Sequence, residues 1–263
     1  MSKLTILGFG RLGGAIARGA LRAGALRADD IVAVDTLQAR LDEARVLGIR
    51  TANINAKLGE TTLLIALKPQ TFDSLTLCEN WMSNNTPVIS VMAGWSSAAI
   101  ARKLDVPRVI RAMPTVAAIV AASTTALCIP HDTPTEQAEF ARALFAAIGR
   151  VIEIDESHFD VATACGASAV AYACLFIETL EHAAISMGLD QHAARAFAMS
   201  SVEGAVAAWH QAKLTPKQLR ENVISPGGTT AVALKVLSDG GFETLVERAA
   251  IAARDRAREL GTN

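Results

Sequence analysis

A glycine turn at residues 8–13 limits what this chain can fold into more than any other stretch. Residues 3–7 are a short apolar run, Gly8-Phe9-Gly10-Arg11-Leu12-Gly13 follows, and Ala15, Ile16, Gly19 and Ala20 then recur at the spacing of one helix face. Strand, glycine turn and helix in that order predict the start of a dinucleotide-binding unit. The first glycine permits the tight turn, the second lets a pyrophosphate approach the backbone, and the third lets the helix pack closely on the strand. The anion would rest on free N–H groups at the positive end of the helix. A bare glycine pattern is weak evidence, and here its context supplies the rest. Residues 31–34 are a second apolar run ending in Asp35, an acid placed where a βαβ unit presents it to an adenosine ribose. The expected ligand is NADH or NADPH. A carboxylate at Asp35 suits free ribose hydroxyls and repels the extra phosphate of NADPH, so NADH is the expected preference, although Arg40 stands near enough in sequence to counter that charge.

The 263 residues suit one large or two modest domains, and 51% apolar with only 5% aromatic content describes an alanine-rich core. With 25 basic and 26 acidic residues and no block of like charge, nothing in the sequence points to nucleic acid or to an anionic membrane. Cys78, Cys128, Cys165 and Cys174 are scattered, without a C-x-x-C pair or a histidine at ligand spacing, so neither metal nor disulfide is expected. The isolated His131, His158, His182, His192 and His210 read as surface residues. A strand close to the N-terminus leaves no room for a signal peptide, and a reducing cytoplasm is the expected location.

Strand-like and helix-like segments alternate through the first half, the pattern of a parallel sheet wrapped by helices. Helices are expected over 37–47, 72–82, 96–104 and 135–148, and strands over 49–51, 61–67, 87–91, 108–113, 124–129 and 150–154. Beyond residue 154 come alanine-rich helical stretches with no convincing strand. The predicted class is α/β: an N-terminal Rossmann-like doubly wound sheet over 1–154, followed by an all-α dimerisation and substrate domain over 155–263. Residues 161–177 carry no charge, yet they are shorter than the roughly 20 residues that span a bilayer and run into Glu178 and Glu181. A helix buried in a core or between subunits is the expected explanation. Helices over 193–209 and 244–260 are similarly rich in small residues, so the chain is expected to pair with a second copy.

Ser225-Pro226-Gly227-Gly228-Thr229-Thr230 precedes a helical run over 231–237. Two glycines free the backbone to curl, and two hydroxyls follow at the start of a helix whose first N–H groups have no internal partner. The residues fit either an anion site or a plain helix cap.

Taken with Ala66-Leu67-Lys68-Pro69, Met92-Ala93-Gly94, Arg111-Ala112-Met113-Pro114 and Ala171-Tyr172, these motifs make the chain resemble the pyrroline-5-carboxylate reductases nearly end to end. That family reduces a cyclic imino acid to proline with NADPH or NADH, and its helical domains interlock into dimers that often assemble further. The resemblance implies that Leu7, Gly8, Phe9, Gly10, Arg11 and Leu12, with Gly13 behind them, hold the pyrophosphate. It places Asn53, Ala66, Leu67, Lys68 and Pro69 along the adenosine and nicotinamide side, and Met92, Ala93 and Gly94 near the nicotinamide. Ser225, Gly227, Gly228 and Thr229 would receive the substrate carboxylate with Ser168 beside them. Thr230, seconded by Ser225, would act on the imine nitrogen.

The sequence also departs from that family. Its serine-glycine-serine-glycine-proline-alanine-tyrosine run stands here as Gly166-Ala167-Ser168-Ala169-Val170-Ala171-Tyr172, and Thr115 replaces the usual asparagine after Met113-Pro114. Added methyls would crowd a carboxylate pocket. A different cyclic imine, such as a piperideine carboxylate, and a nucleotide-binding regulatory protein without catalysis are therefore the alternative readings. A β-hydroxyacid dehydrogenase should carry a lysine in the central helix, and 161–177 has none.

Overall fold

A computed structural model describes residues 3–57, 59–76 and 81–261. The opening segments are β1 (Leu4–Leu7), α1 (Arg11–Arg22), β2 (Ile31–Val34), α2 (Gln38–Val46), β3 (Arg50–Ala52), β4 (Thr62–Ile65) and α3 (Pro69–Asp73). After them come β5 (Val88–Ser90), α4 (Ser97–Leu104), β6 (Ile110–Met113), β7 (Ser123–Cys128), α5 (Thr135–Ala146) and β8 (Gly149–Glu153). The eight strands form one sheet in the order β3-β2-β1-β4-β5-β6-β7-β8. β1 pairs in parallel with both β2 and β4, so the chain changes direction across the sheet beside β1. In open α/β sheets ligands bind outside the carboxyl ends of the strands at such a switch point.

The central strands are apolar almost throughout because helices cover both faces. On β4, Leu64 joins one cluster with Phe9, Ile16, Phe145 and Ile148, while its neighbours Leu63 and Ile65 join another with Phe72, Trp81 and Ile100. Thr5 is the polar exception on β1; its buried hydroxyl pairs with that of Thr61 at 3.2 Å. At Gly19 a Cβ would collide with Ile148, and this contact lets α1 lie close to the segment leading into β8.

Two local expectations are corrected. The helix expected over 72–82 is instead the five-residue α3, which starts three residues earlier because Pro69 is preset for a first helical position. The chain leaves it at Ser74, and residues 77–80, Cys78 among them, lie outside the described residues. β7 runs antiparallel to β6, so the sheet is not wholly parallel. Only residues 114–122 link the two strands, with a 3₁₀ turn at Val116–Val120, and a parallel return needs a longer crossover.

Past β8, among the described residues, the chain is helical: α6 (Phe159–Ala162), a π turn at Thr163–Ala167, α7 (Ala169–Ser186), α8 (Gln191–Ala212), α9 (Pro216–Asn222), α10 (Thr229–Asp239) and α11 (Phe242–Gly261). Two compact units result, Met1–Ser168 with Ala252–Asn263, and Ala169–Ile251. That seam lies beyond the boundary expected at residue 155. Phe159, 1% exposed, seats residues 156–168 on the sheet unit beside Met113 and Ala126.

In the second unit α7 packs on α8, and the Arg195 guanidinium meets Glu181 at 2.9 Å. Yet α7 contains no buried residue, so within one chain it is not the core helix that 161–177 suggested. Leu175, Phe197, Val236 and Leu245 are each more than 60% exposed. Among the described residues one helical stretch, Glu156–Ser186, is long and apolar enough to cross a membrane by length and composition.

Candidate functional site

The glycine turn sits at the carboxyl end of β1, where the sheet opens. The Gly8 N–H donates to the Val34 carbonyl (2.8 Å) and the Ala66 N–H to the Leu7 carbonyl (2.8 Å), so the turn begins held between the ends of β2 and β4. Gly8 has φ +98°, and a Cβ there would come within 2.7 Å of the Ala66 oxygen. At Gly13 a Cβ would strike the Gly8 carbonyl oxygen. Gly10 differs: it is the N-cap of α1, and nothing lies within 4 Å of where its Cβ would be. The first bond of α1 runs from the Gly14 N–H to the Gly10 carbonyl (2.9 Å), which leaves the preceding N–H groups of the turn without intrahelical partners. Open space over a bare helix start with no acidic residue in its first turn fits a pyrophosphate.

Asp35, at the end of β2, is tied to this turn. One carboxylate oxygen accepts the Phe9 N–H at 2.8 Å and the other the Leu37 N–H at 2.9 Å. Phe9 therefore gives its N–H to Asp35. Each oxygen keeps a second lone pair for a ribose hydroxyl. Arg40 pairs with Glu43 at 2.6 Å instead of countering Asp35. Asn53, exposed just beyond β3, accepts the Asn55 N–H at 2.9 Å in a side-chain-closed turn. Ala66, Leu67, Lys68 and Pro69 continue β4 into α3, with Lys68 as an exposed N-cap. Met92, Ala93 and Gly94 continue β5. All these cofactor candidates therefore gather at the carboxyl ends of β1 to β5.

The loop after β5 is fixed by Arg111, which the sequence marked only as part of a motif, and by Glu156, which it did not mark. The Arg111 side chain of β6, 4% exposed, donates to the Met92 carbonyl (3.4 Å) and to Glu156 (3.1 Å), with its guanidinium 4.0 Å from the Phe159 ring centroid. Glu156 also accepts the Ser97 N–H at 2.7 Å and the Ser97 hydroxyl. Burial pushes the Glu156 carboxyl up, but the Ser97 donors and Arg111 outweigh it and hold the group below its ordinary value. Burial likewise lowers Arg111, opposed by Glu156. Cys128 on β7 is raised by burial and then by Glu156, which keeps its thiol protonated. One clue to the pair was legible: an arginine inside a strand otherwise written Ile-Ala-Met needs a buried partner.

Ser168 follows the π turn, its N–H bonded to the Thr163 carbonyl at 2.9 Å. Ser225, Gly227, Gly228, Thr229 and Thr230 belong to the other compact unit. Gly227 has φ +71°, and a Cβ on Gly228 would collide with the Ser225 hydroxyl. The N-cap of α10 is Gly228, with no side-chain cap bond. Thr229 and Thr230 are thus the first two helical residues, and the plain-cap reading fails for both. Among the described residues no group of three His, Cys, Asp or Glu side chains is placed to hold a metal.

A family model described as NADP oxidoreductase, coenzyme F420-dependent, matches residues 3–94, and one described as pyrroline-5-carboxylate reductase dimerisation matches residues 156–260. Joined to the glycine turn at the switch point of the sheet, these define an oxidoreductase of the dinucleotide-binding class with a helical dimerisation domain. A pyrroline-5-carboxylate reductase of Thermus thermophilus is 36% identical over 264 residues, 98% of each chain. Among solved structures, a pyrroline-5-carboxylate reductase from Coxiella burnetii superposes with a TM-score of 0.84 at 29% identity, covering 98% of both chains. The Plasmodium falciparum pyrroline carboxylate reductase with NADP bound shares the fold, with a TM-score of 0.87 at 23% identity over 99% of this chain and 98% of that one. The chain belongs to the pyrroline-5-carboxylate reductase family.

Proposed function

We propose that the protein reduces 1-pyrroline-5-carboxylate to L-proline, the closing step of proline biosynthesis. The bound nicotinamide supplies the hydride. The chain's own residues position the reactants. Backbone N–H groups of the Gly10 to Gly13 turn hold the pyrophosphate, Asp35 the adenosine ribose, and Asn53 with Ala66 to Pro69 the flanking side. Met92 to Gly94 border the nicotinamide. At the start of α10, Ser225, Gly227, Gly228 and Thr229 receive the carboxylate, with Ser168 contributing, while the Thr230 hydroxyl orients the imine nitrogen. A cyclic imine is basic enough to carry its own proton near neutral pH, so no strong acid is needed. The observation that carries this reading is α10 itself: a helix start capped by glycine with two unengaged threonines, in a chain of this family.

NADH is the proposed preference, supported by an Asp35 carboxylate, our candidate ribose partner, that accepts two backbone N–H groups while Arg40 is engaged by Glu43. We place the protein in the cytoplasm as a homodimer able to assemble further, with the exposed faces of α7 and α8 covered by a second copy and not by a membrane or nucleic acid. We also retain the functional division near residue 155, nucleotide binding before it and substrate binding after. A second reading, a six-membered cyclic imine, is favoured by Ala167, which closes the π turn, and by Ala169 and Val170 just after it. Incubation with pyrroline-5-carboxylate or its six-membered homologue, with either nicotinamide, separates the readings by the rate of cofactor oxidation. Faster turnover of the five-membered ring with NADH is expected. Turnover of the homologue alone selects the second reading, and none with either a non-catalytic protein.

A further inference from the structure

We infer that Arg111 and Glu156 are positioning residues that clamp both ends of loop 92–97 and thereby fix the nicotinamide. The inference rests on the reading that Met92 to Gly94 border that ring. Arg111 holds the first end through the Met92 carbonyl, and Glu156 holds the other through the Ser97 N–H and hydroxyl. The two side chains are bonded to each other, so the ends are tied through one bridge. Ser97 is the first residue of α4, where a carboxylate is favoured by the helix field. Between the ends the chain depends on Gly94, at φ +81°, which rests on Leu260: a Cβ there would lie 2.7 Å from the Leu260 Cβ and 2.8 Å from its carbonyl carbon. The Met92 N–H is held in addition by the Ser90 hydroxyl at 3.3 Å.

Stability alone does not explain the pair. Burying an ion pair typically gains little over apolar side chains of the same volume, and the Arg111 Nε atom remains without a partner. What the pair does provide is a fixed loop geometry. Hydride transfer is sensitive to displacements of about 1 Å, whereas the affinity of a dinucleotide comes largely from its adenosine and pyrophosphate. Loosening the clamp should therefore lower turnover and leave nucleotide affinity intact.

The test uses Glu156→Gln, which preserves shape, and Ser97→Ala, which removes only one hydroxyl. Steady-state kcat and the Kd for reduced nicotinamide nucleotide are read for each. The expected result is a kcat loss on the order of 10- to 100-fold for E156Q and a smaller, several-fold loss for S97A, with Kd changed by less than about threefold. Should E156Q not fold, S97A decides alone. Unchanged kcat in the folded variants overturns the clamp, as does a parallel fall in kcat and affinity. The underlying placement is checked separately through the ¹³C-methyl signal of Met92, assigned by its loss in M92L. A signal that moves on saturation with nucleotide supports the loop position, so normal E156Q turnover would then overturn the clamp alone. A signal that stays still overturns the position and the clamp together.

Discussion

An alanine at Gly8 would have to hold φ near +98° with its methyl 2.7 Å from the Ala66 carbonyl oxygen, so the turn cannot keep its shape around it. Gly8→Ala is expected to cost about 1–3 kcal/mol in stability and to weaken nucleotide binding, which thermal melting and nucleotide titration will show together. Thr230→Ala acts differently, since its hydroxyl caps nothing in α10, of which it is the second residue. Turnover should fall by an amount equivalent to about 1.5–3 kcal/mol, one hydrogen bond to a charged group, with melting temperature unchanged. An unaltered rate removes Thr230 from the mechanism. At this scale the sequence was informative wherever a residue type has few uses. Glycines at 8 and 13 announce close backbone approach, and those at 227 and 228 a turn that a side chain would strain or crowd. It was silent on Glu156, a surface-compatible residue whose partners Ser97 and Arg111 are 59 and 45 positions away.

Segments show what spacing can and cannot convey. The order β1, α1, β2 followed from apolar periodicity and the acid after the second run, and the six remaining strands of the sheet could then be placed to within a few residues. Periodicity did not reveal that α3 stops at Asp73, because the apolar residues beyond it, such as Leu75 and Trp81, pack on the core without continuing the helix. Nor did it give the direction of β7, which depends on how far nine linking residues can reach. The contact of Glu156 with the start of α4 makes its own prediction. A carboxyl held below its ordinary value is ionised in the folded chain at pH values where the unfolded chain takes up a proton. Its stabilisation is complete above about pH 5 and is lost as pH falls through the folded value, below the usual carboxylate range of about 4.3. Melting curves from pH 6 down to pH 3 should fall less steeply for Glu156→Gln than for the unaltered chain, and parallel slopes would deny the pair its ionic character.

For the whole molecule, the main question is what covers the second unit. Its helices leave Leu175, Phe197, Val236 and Leu245 largely in water, an apolar surface that a lone soluble chain rarely retains. With a family dimerisation region over 156–260, the expectation is a dimer at micromolar concentration in sedimentation, and Leu175→Glu, at a side chain 62% exposed within one chain, should shift it toward monomer. The uncharged run over 161–177 announced a surface that needs covering but could not decide between the chain's own core and a second copy, and within one chain α7 is left uncovered. The central claim is direct hydride transfer onto the imine carbon. It is tested most directly by supplying nicotinamide nucleotide deuterated at the transferred position together with pyrroline-5-carboxylate and locating the label in the product. One deuterium at C5 of L-proline for each nucleotide oxidised is the predicted result, and proline without deuterium, or nucleotide that is never oxidised, would contradict it.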